Sequence, residues 1–309
     1  MSSLENKNIA LKDTSLSTSS VDIYYARFRQ VLEYIDTHLD DDLSVNQISI
    51  VAAFSRYHFH RQFSELFRIN LYKYIQLNRL KRASYQLAFR HERQIIDIAL
   101  TSGYENHESF SRAFKKSIGQ TPSEFRKQPN WDLWHLTYQP LSELRIKYMK
   151  PENQPTQVKL ISFKNTKVAV LEHRGDPNLI EKSVGKFIEW RKQNNLPPTQ
   201  SHTFNILYDN PFDTAPDDYR FDICASTEYD VADNTFRVVE KIIPGGKCAV
   251  LRHLGSDSNI SESITYLYST WLPLSGEETR DFPLYLQRIS FFPDVPEHEA
   301  ITDIFLPLK

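Results

Sequence analysis

From Tyr24 onward the apolar residues fall at steps of three and four, the period of a helix packed on one side: Phe28, Val31, Leu32, Ile35 and Leu39. The acidic run Asp40, Asp41 and Asp42 closes this helix. Ser44 opens a second, with Gln47 at the capping-box distance and Val45, Ile48 and Val51 on the apolar side. Ser55 can cap a third carrying Tyr57, Phe59, Phe63, Leu66 and Phe67, and residues 71–87 form a longer amphipathic helix with Tyr74, Ile75, Leu77, Leu80, Ala83 and Leu87 inward. Over residues 94–127 the rhythm returns: a short helix, a tight turn at Gly103, a helix over residues 107–117, and a further helix at Pro122. Thr121 stands at its N-cap, Pro122 at N1 and Glu124 at N3, which satisfies both the capping box and the preferred place for proline.

Two of these helices match. Phe59 and Phe63 align with Phe110 and Phe114 at a shift of 51 residues, and Arg61 aligns with Arg112. The phenylalanines turn one side of each helix inward and leave Arg56, Tyr57, His60 and Arg61 outward in the first, and His107, Glu108, Ser111 and Arg112 in the second. A lone aromatic stripe means core packing; its recurrence beside matched arginines points to paired readers of double-stranded DNA. Arginine's planar fork meets guanine O6 and N7, Tyr57 can pack on a thymine methyl, and His and Ser make shorter polar contacts. Lys115, Lys116, Arg126 and Lys127 suit the phosphate backbone. Arg79 and Arg82, on the connecting helix, are close enough to join them, although a solvated basic surface accounts for them equally.

The pattern changes after Lys127. Trp131, Trp134, Leu136 and Tyr138 can cover a domain surface, whereas Pro140, Pro151 and Pro155 should interrupt long helices, so residues 128–157 read as a connector. Near Val158 strands begin: Leu160, Ile161 and Phe163, then the segment Lys167 to Arg174. Eighty residues later, Lys247 to Leu254 repeats its order, and each segment reaches a glycine at the same point, Gly175 or Gly255. A helix follows each, with Leu179, Val184, Phe187, Ile188 and Trp190 in the first and Ile260, Ile264, Leu267, Tyr268 and Trp271 in the second. Further strands are expected around residues 204–207, 219–224, 236–243, 284–289 and 300–307.

Composition narrows this picture in three ways. The 309 residues are 40% hydrophobic, enough for two or three cores, and no stretch approaches a membrane-spanning length. The first residues hold no basic cluster followed by an apolar run, so a cytoplasmic protein is expected, with residues 1–22 a flexible tail. The net charge of −2 conceals an asymmetry, since residues 24–127 hold 16 Lys and Arg against 11 Asp and Glu and residues 128–309 hold 19 against 25. The two cysteines, Cys224 and Cys248, give neither a disulfide framework nor a metal motif, and no cofactor fingerprint is present.

Ile98, Ala99, Gly103, Tyr104, Phe110, Arg112, Phe114, Gly119, Thr121, Pro122 and Phe125 stand as in AraC/XylS-type transcriptional regulators, which residues 28–127 resemble. That resemblance implies two helix-turn-helix units, sequence-specific DNA binding and contact with the transcription machinery. It departs at Ala53, where the family usually has glycine. The two Ala-Val-Leu-x-His segments, Tyr208-Asp209-Asn210-Pro211, Arg220-Phe221-Asp222-Ile223, Trp271-Leu272-Pro273 and the ending from Thr302 resemble the GyrI-like effector-binding domain. This implies a cleft at a pseudo-two-fold interface taking a small organic, often cationic, effector, with Phe187, Trp190, Tyr208, Tyr268, Trp271 and Tyr285 as candidate lining. Family members commonly carry an acid in Phe-Glu-x-Tyr, whereas this chain has Phe282-Pro283-Leu284-Tyr285; Glu278, Asp281 or Glu172 would have to supply the charge.

The expected fold is thus an N-terminal all-α domain with two helix-turn-helix units (residues 23–127), a connector (128–157) and a C-terminal α+β domain of two pseudo-symmetric β-α-β-β repeats (158–309). The expected function is a ligand-responsive transcription regulator and not an enzyme. A hydrolase built on His173, His253 and Cys248, or a protein-interaction module in the C-terminal half, is the alternative; neither a zinc ligand series nor a nucleophile elbow is present.

Overall fold

The computed structural model describes residues 18–148 and 157–309, and its first part is built from eight helices. They are α1 (Thr18–Thr37), α2 (Val45–Val51), α3 (Arg56–Phe67), α4 (Leu71–Phe89), α5 (Ile95–Thr101), α6 (His107–Ile118), α7 (Pro122–Lys127) and α8 (Trp131–Tyr148). One core runs from Phe28 to Leu144, so α8 belongs to the helical half: Trp131, Trp134, Tyr138, Leu141 and Leu144 are all buried in it. Leu136 is the exception and is exposed. Helix α1 begins at Thr18, ahead of the expected end of the tail, and the tail's first 17 residues lie outside those described.

Pro140 does not interrupt α8 as its ring chemistry suggested; it sits inside the helix. It and Leu136, whose carbonyl it deprives of a partner, both face solvent, so water can take the place of the lost hydrogen bond. Pro151 and Pro155 lie outside the described residues.

The helix starts follow from caps. Ser44 Oγ accepts from Gln47 N at 3.2 Å while Gln47 Oε1 accepts from Ser44 N at 3.0 Å, and Thr121 and Glu124 repeat this exchange at α7. Asn70 and Asn106 cap α4 and α6 through their side chains, whereas Ser55, at the N-cap of α3, makes no such bond. The two helix-turn-helix turns differ in one respect. Gly103 takes φ +77° in the second, and a methyl there would run into the guanidinium of Arg79; in the first turn Ala53 is forced to φ 52°. A β-carbon in the left-handed region costs about 1 kcal/mol, partly offset by alanine's stiffer unfolded chain. Ala53→Gly should therefore stabilise the protein by roughly 0.5 kcal/mol, read from its denaturant midpoint.

The second part is an eight-stranded antiparallel sheet with helices on one face. Its elements are β1 (Lys159–Phe163), β2 (Thr166–Arg174), α9 (Ile180–Gln193), β3 (Thr203–Leu207), β4 (Arg220–Ser226), β5 (Val238–Ile243), β6 (Gly246–Leu254), α10 (Ile260–Tyr266), α11 (Leu272–Ser275), β7 (Leu284–Ser290) and β8 (Ile301–Pro307). A single π-type turn, Leu267–Trp271, joins α10 to α11. Strand order is β1-β6-β8-β7-β3-β4-β2-β5, and the chain runs β1-β2-α9-β3-β4 and then β5-β6-α10-α11-β7-β8, with two strands before each helical segment where the expected β-α-β-β unit has one.

That order forces the sheet to curl. The segments between β1 and β2, Lys164 and Asn165, and between β5 and β6, Pro244 and Gly245, each hold two residues, yet they join opposite edges. The edges therefore meet at this end. Gly245 N donates to Asn165 Oδ1 at 2.6 Å, and a side chain at Gly245 would collide with the Phe163 carbonyl and Asn165 amide. The curl encloses an aromatic core of Phe204, Tyr285 and Phe305 together with Cys224 and Cys248, both free thiols. On the opposite face α9 covers Ala169, Leu171 and Ile223, and α10 covers Ala249, Leu251 and Ile304.

The two halves share one further detail. His173 Nδ1 lies 2.9 Å from Ser183 Oγ and its Nε2 3.1 Å from the Asp176 carbonyl; His253 makes the same pair of contacts with Ser263 and Ser256 at 2.9 and 3.0 Å. Each histidine ties its strand to the helix that follows. Among the described residues, no helix is long and apolar enough to cross a membrane.

Candidate DNA interface and effector cleft

In α3, Phe59, Phe63 and Phe67 are buried, and in α6, Phe110, Phe114 and Ile118 are. Arg56, Tyr57, His60 and Arg61 stand exposed on the first helix, Tyr57 to 84%, and His107, Glu108 and Arg112 on the second. Ser111 departs from this set. Its Oγ is enclosed and has no hydrogen-bond partner among the described residues, because at the step after Phe110 it leans toward the core edge rather than the outer face.

Of the six phosphate candidates, Lys115, Lys116 and Lys127 are exposed. The three arginines are internal braces. Arg79 donates to the carbonyls of Leu39 and Asp41 at 2.9 and 2.7 Å, Arg126 to that of Arg93 at 2.8 Å, and Arg82 to Asp40 and, at 2.7 Å, to the carbonyl of Thr101. Helix ends leave carbonyls without partners, and a guanidinium can satisfy several at once. Through Arg79 and Arg82, α4 holds the end of α1's loop and the end of α5 together, which fixes the two reading units relative to each other.

On the helix-bearing face of the sheet lies a cleft of about 760 Å³. Val184 and Phe187 of α9 and Phe221 and Ile223 of β4 form its apolar side, Thr203, Asn205 and Arg288 of the two central strands contribute polar atoms, and Tyr85 and Phe89 of α4 face it. Among the expected lining residues only Phe187 is there. Tyr208 and Tyr285 project from the other face of the sheet, since side chains alternate along a strand; Tyr285 is sealed against Phe305, ring centroids 4.8 Å apart. Trp190 stacks on Phe187 but opens toward residues 227–236, Tyr268 is half exposed, and Trp271 packs under α10.

The candidate acids are placed elsewhere too. Glu278 pairs with Lys309 at 2.7 Å, Glu172 with Lys241 at 2.5 Å and Arg174 at 3.1 Å, and Asp281 is exposed. Of the four acids that line the cleft, the one without an arginine or lysine partner is Glu181, at the start of α9. Its Oε2 stands 3.4 Å from His135 Nε2, close enough for an ion pair but outside hydrogen-bond geometry, and Tyr85 Oη donates weakly to its Oε1 at 3.5 Å. Burial lowers the pKa of His135, but the adjoining Glu181 carboxylate outweighs it and the net direction is up. Burial, followed by the charge of Glu181, pushes the Tyr85 phenol well up. The cleft's other acids are paired, Asp294 with Arg90, Asp257 with Arg288 and Glu92, at 3.8 Å, with Lys192. Sequence reasoning missed Tyr85, Phe89 and His135; the available signal was that Tyr85 and Phe89, four residues apart, form an aromatic pair that flanks Leu87, the last counted core position of α4.

Two exposed helices mounted on one connecting helix, beside a curled sheet with a cleft on its helix-bearing face, define a DNA-binding transcription regulator with a second, α+β half. The chain belongs to the AraC-type regulators that carry a GyrI-like domain: residues 48–128 match a helix-turn-helix domain family and residues 156–309 the GyrI-like small molecule binding domain. It is 40% identical over 157 residues to the probable transcriptional regulator YgiV of Escherichia coli K12, covering 50% of this chain and 98% of that protein. It is 24% identical over 254 residues to the right origin-binding protein of the same organism, covering 80% and 84%. A solved EcmrR–DNA complex overlaps 86% of this chain and 98% of its own at 14% identity, with a TM-score of 0.42.

Proposed function

We propose that this regulator reads an asymmetric duplex site with α3 and α6, one in each of two successive major grooves, and that a small organic molecule in the cleft beside α9 adjusts its output to the transcription machinery in the cytoplasm. The matched pair Arg61 and Arg112 carries the first half of this reading. Both are exposed on helices whose inner faces are fixed by equivalent phenylalanines, and neither makes a hydrogen bond or ion pair among the described residues. Their forks are available to base edges.

For the ligand, the shape of the cleft and the Glu181 carboxylate, whose Oε2 is held only by the 3.4 Å contact with His135, favour a flat molecule carrying a basic nitrogen, which would meet aromatic walls and compete with His135 for that carboxylate. Binding rather than turnover is favoured because the three residues weighed for catalysis lie outside the cleft, His173 and His253 buried where strand meets helix and Cys248 in the sheet's inner core. Selection of a duplex from a random pool, followed by anisotropy titration, tests the reader: a strong preference for the selected duplex over a scrambled one is expected, and equal affinity for both would refute it. In the same assay Lys115→Ala and Lys116→Ala should weaken binding to every duplex alike, each reducing the salt slope by about one.

A further inference from the structure

The cleft is not bounded by the ligand-binding half alone. Tyr85, Phe89 and Arg90, at the end of α4, form one of its walls. The Tyr85 ring meets Phe292, in the loop between β7 and β8, edge-on at 5.2 Å, and Trp134 on its own side at 5.4 Å. Ion pairs cross the same boundary. Lys81 Nζ lies 2.9 Å from Glu297 Oε1 with their side chains only 10% and 16% exposed, Arg90 grips Asp294 with both arms of its fork, and His135 faces Glu181. A pair as enclosed as Lys81 and Glu297 is costly to separate, because each charge would then stand desolvated without its partner until water reached it. The contact is specific in shape and in charge.

We infer that the cleft is a composite site whose fourth wall is the DNA-binding half, so that ligand occupancy and docking of the two halves are coupled. This rests on the small-molecule reading above and adds the mechanism by which the ligand is felt. A molecule seated between Phe187 and Tyr85 touches both halves, and therefore binds the docked arrangement more tightly than an undocked one; by linkage it shifts the chain toward docking. Helix α4 is the receiving element. It packs on α3, α5 and α7 as well as on α9, and through Arg79 and Arg82 it sets the relative position of the reading units. Holding α4 against the sheet thus fixes where α3 and α6 point with respect to the rest of the molecule.

The test uses the intact chain, without DNA, and three flat fluorescent cations, berberine, acriflavine and quinacrine, as probes. Phe187→Ala removes a wall from the ligand-binding half and Tyr85→Ala removes one from the DNA-binding half. Asp294→Ala frees Arg90 by changing an exposed loop residue and leaves both cores intact, which guards against misfolding of the tyrosine variant. Spin labels at Glu65→Cys and Asp217→Cys, both exposed sites, report the distance between halves, the native cysteines being buried. The expected result is a dye affinity at least tenfold weaker in the Tyr85 and Asp294 variants as well as in Phe187→Ala, together with an interdomain distance distribution that broadens in Asp294→Ala and narrows again on adding dye. If Phe187→Ala abolishes binding while the Tyr85 and Asp294 variants stay within twofold of the parent, the ligand site is confined to one half and the coupling is overturned. Failure of all three dyes to bind the parent chain removes the small-molecule reading, and the coupling with it.

Discussion

A chain carrying Arg112→Ala should lose roughly ten- to hundredfold in affinity for its selected duplex, about 1–3 kcal/mol, with little change on a scrambled one. The expectation comes from where the loss falls. Arg112 is exposed on α6 about half a turn away from the buried Phe110–Phe114 stripe, so truncating it removes no core contact and leaves the fold intact. A guanidinium that only neutralised phosphate would weaken both duplexes together and flatten the salt dependence. Titrating selected and scrambled duplexes at two salt concentrations separates the outcomes; a parallel loss on both would reassign Arg112 to the backbone. Arg61→Ala should relax discrimination at a different part of the site, because the two helices are held apart by α4.

Asp222→Ala should cost about 3 kcal/mol of stability, the lower end of what breaking a buried charge cluster removes. Asp222 is fully buried and accepts from Lys241 Nζ at 2.7 Å, Arg174 Nη1 at 2.9 Å and Tyr208 Oη at 3.0 Å. Removing it leaves Lys241 and Arg174 with Glu172 as their shared acid; both cations keep some contact with water, which limits the loss. The other half of the sheet supplies a control. Glu172 is opposite Asp222 in the β2–β4 register, and Arg252 is opposite Asp303 in the β6–β8 register. There the pair neutralises itself at 2.8 Å with the arginine exposed, so Asp303→Ala should cost less than about 1 kcal/mol. Urea unfolding of the two variants decides the matter: equal losses would show that the buried cluster adds nothing beyond a surface pair.

Much of this architecture was legible because it is local. The capping boxes at Ser44 and Thr121, the four-residue spacing of the phenylalanines and the 51-residue offset between Arg61 and Arg112 depend on residues close along the chain or on simple recurrence. The strands likewise appear within a few residues of their expected positions. What escaped was set by distant partners. Nothing near Arg79 or Arg82 signals that the carbonyls they serve belong to the end of another helix, so both resembled phosphate contacts. The cleft escaped for the same reason, because its Tyr85 wall and its Glu181 carboxylate come from elements far apart in sequence. Tyr208 and Tyr285 were expected in it on the strength of being aromatic, although strand parity sends them to the opposite face. Pro140 shows the converse, a strong local rule relaxed because its position faces solvent.

The curled sheet also has a temporal consequence. Most helices of the N-terminal half pack on their immediate successors, whereas Lys159 must find Val250 and Ile206 must find Tyr285 before the sheet can close. Pairings across such separations demand that loop entropy be surrendered before any contact repays it, so the sheet is the slower half to form. For an interval after unfolding stress the chain therefore holds an assembled DNA reader beside an open sheet, and recovers its capacity to bind DNA before its C-terminal half is complete.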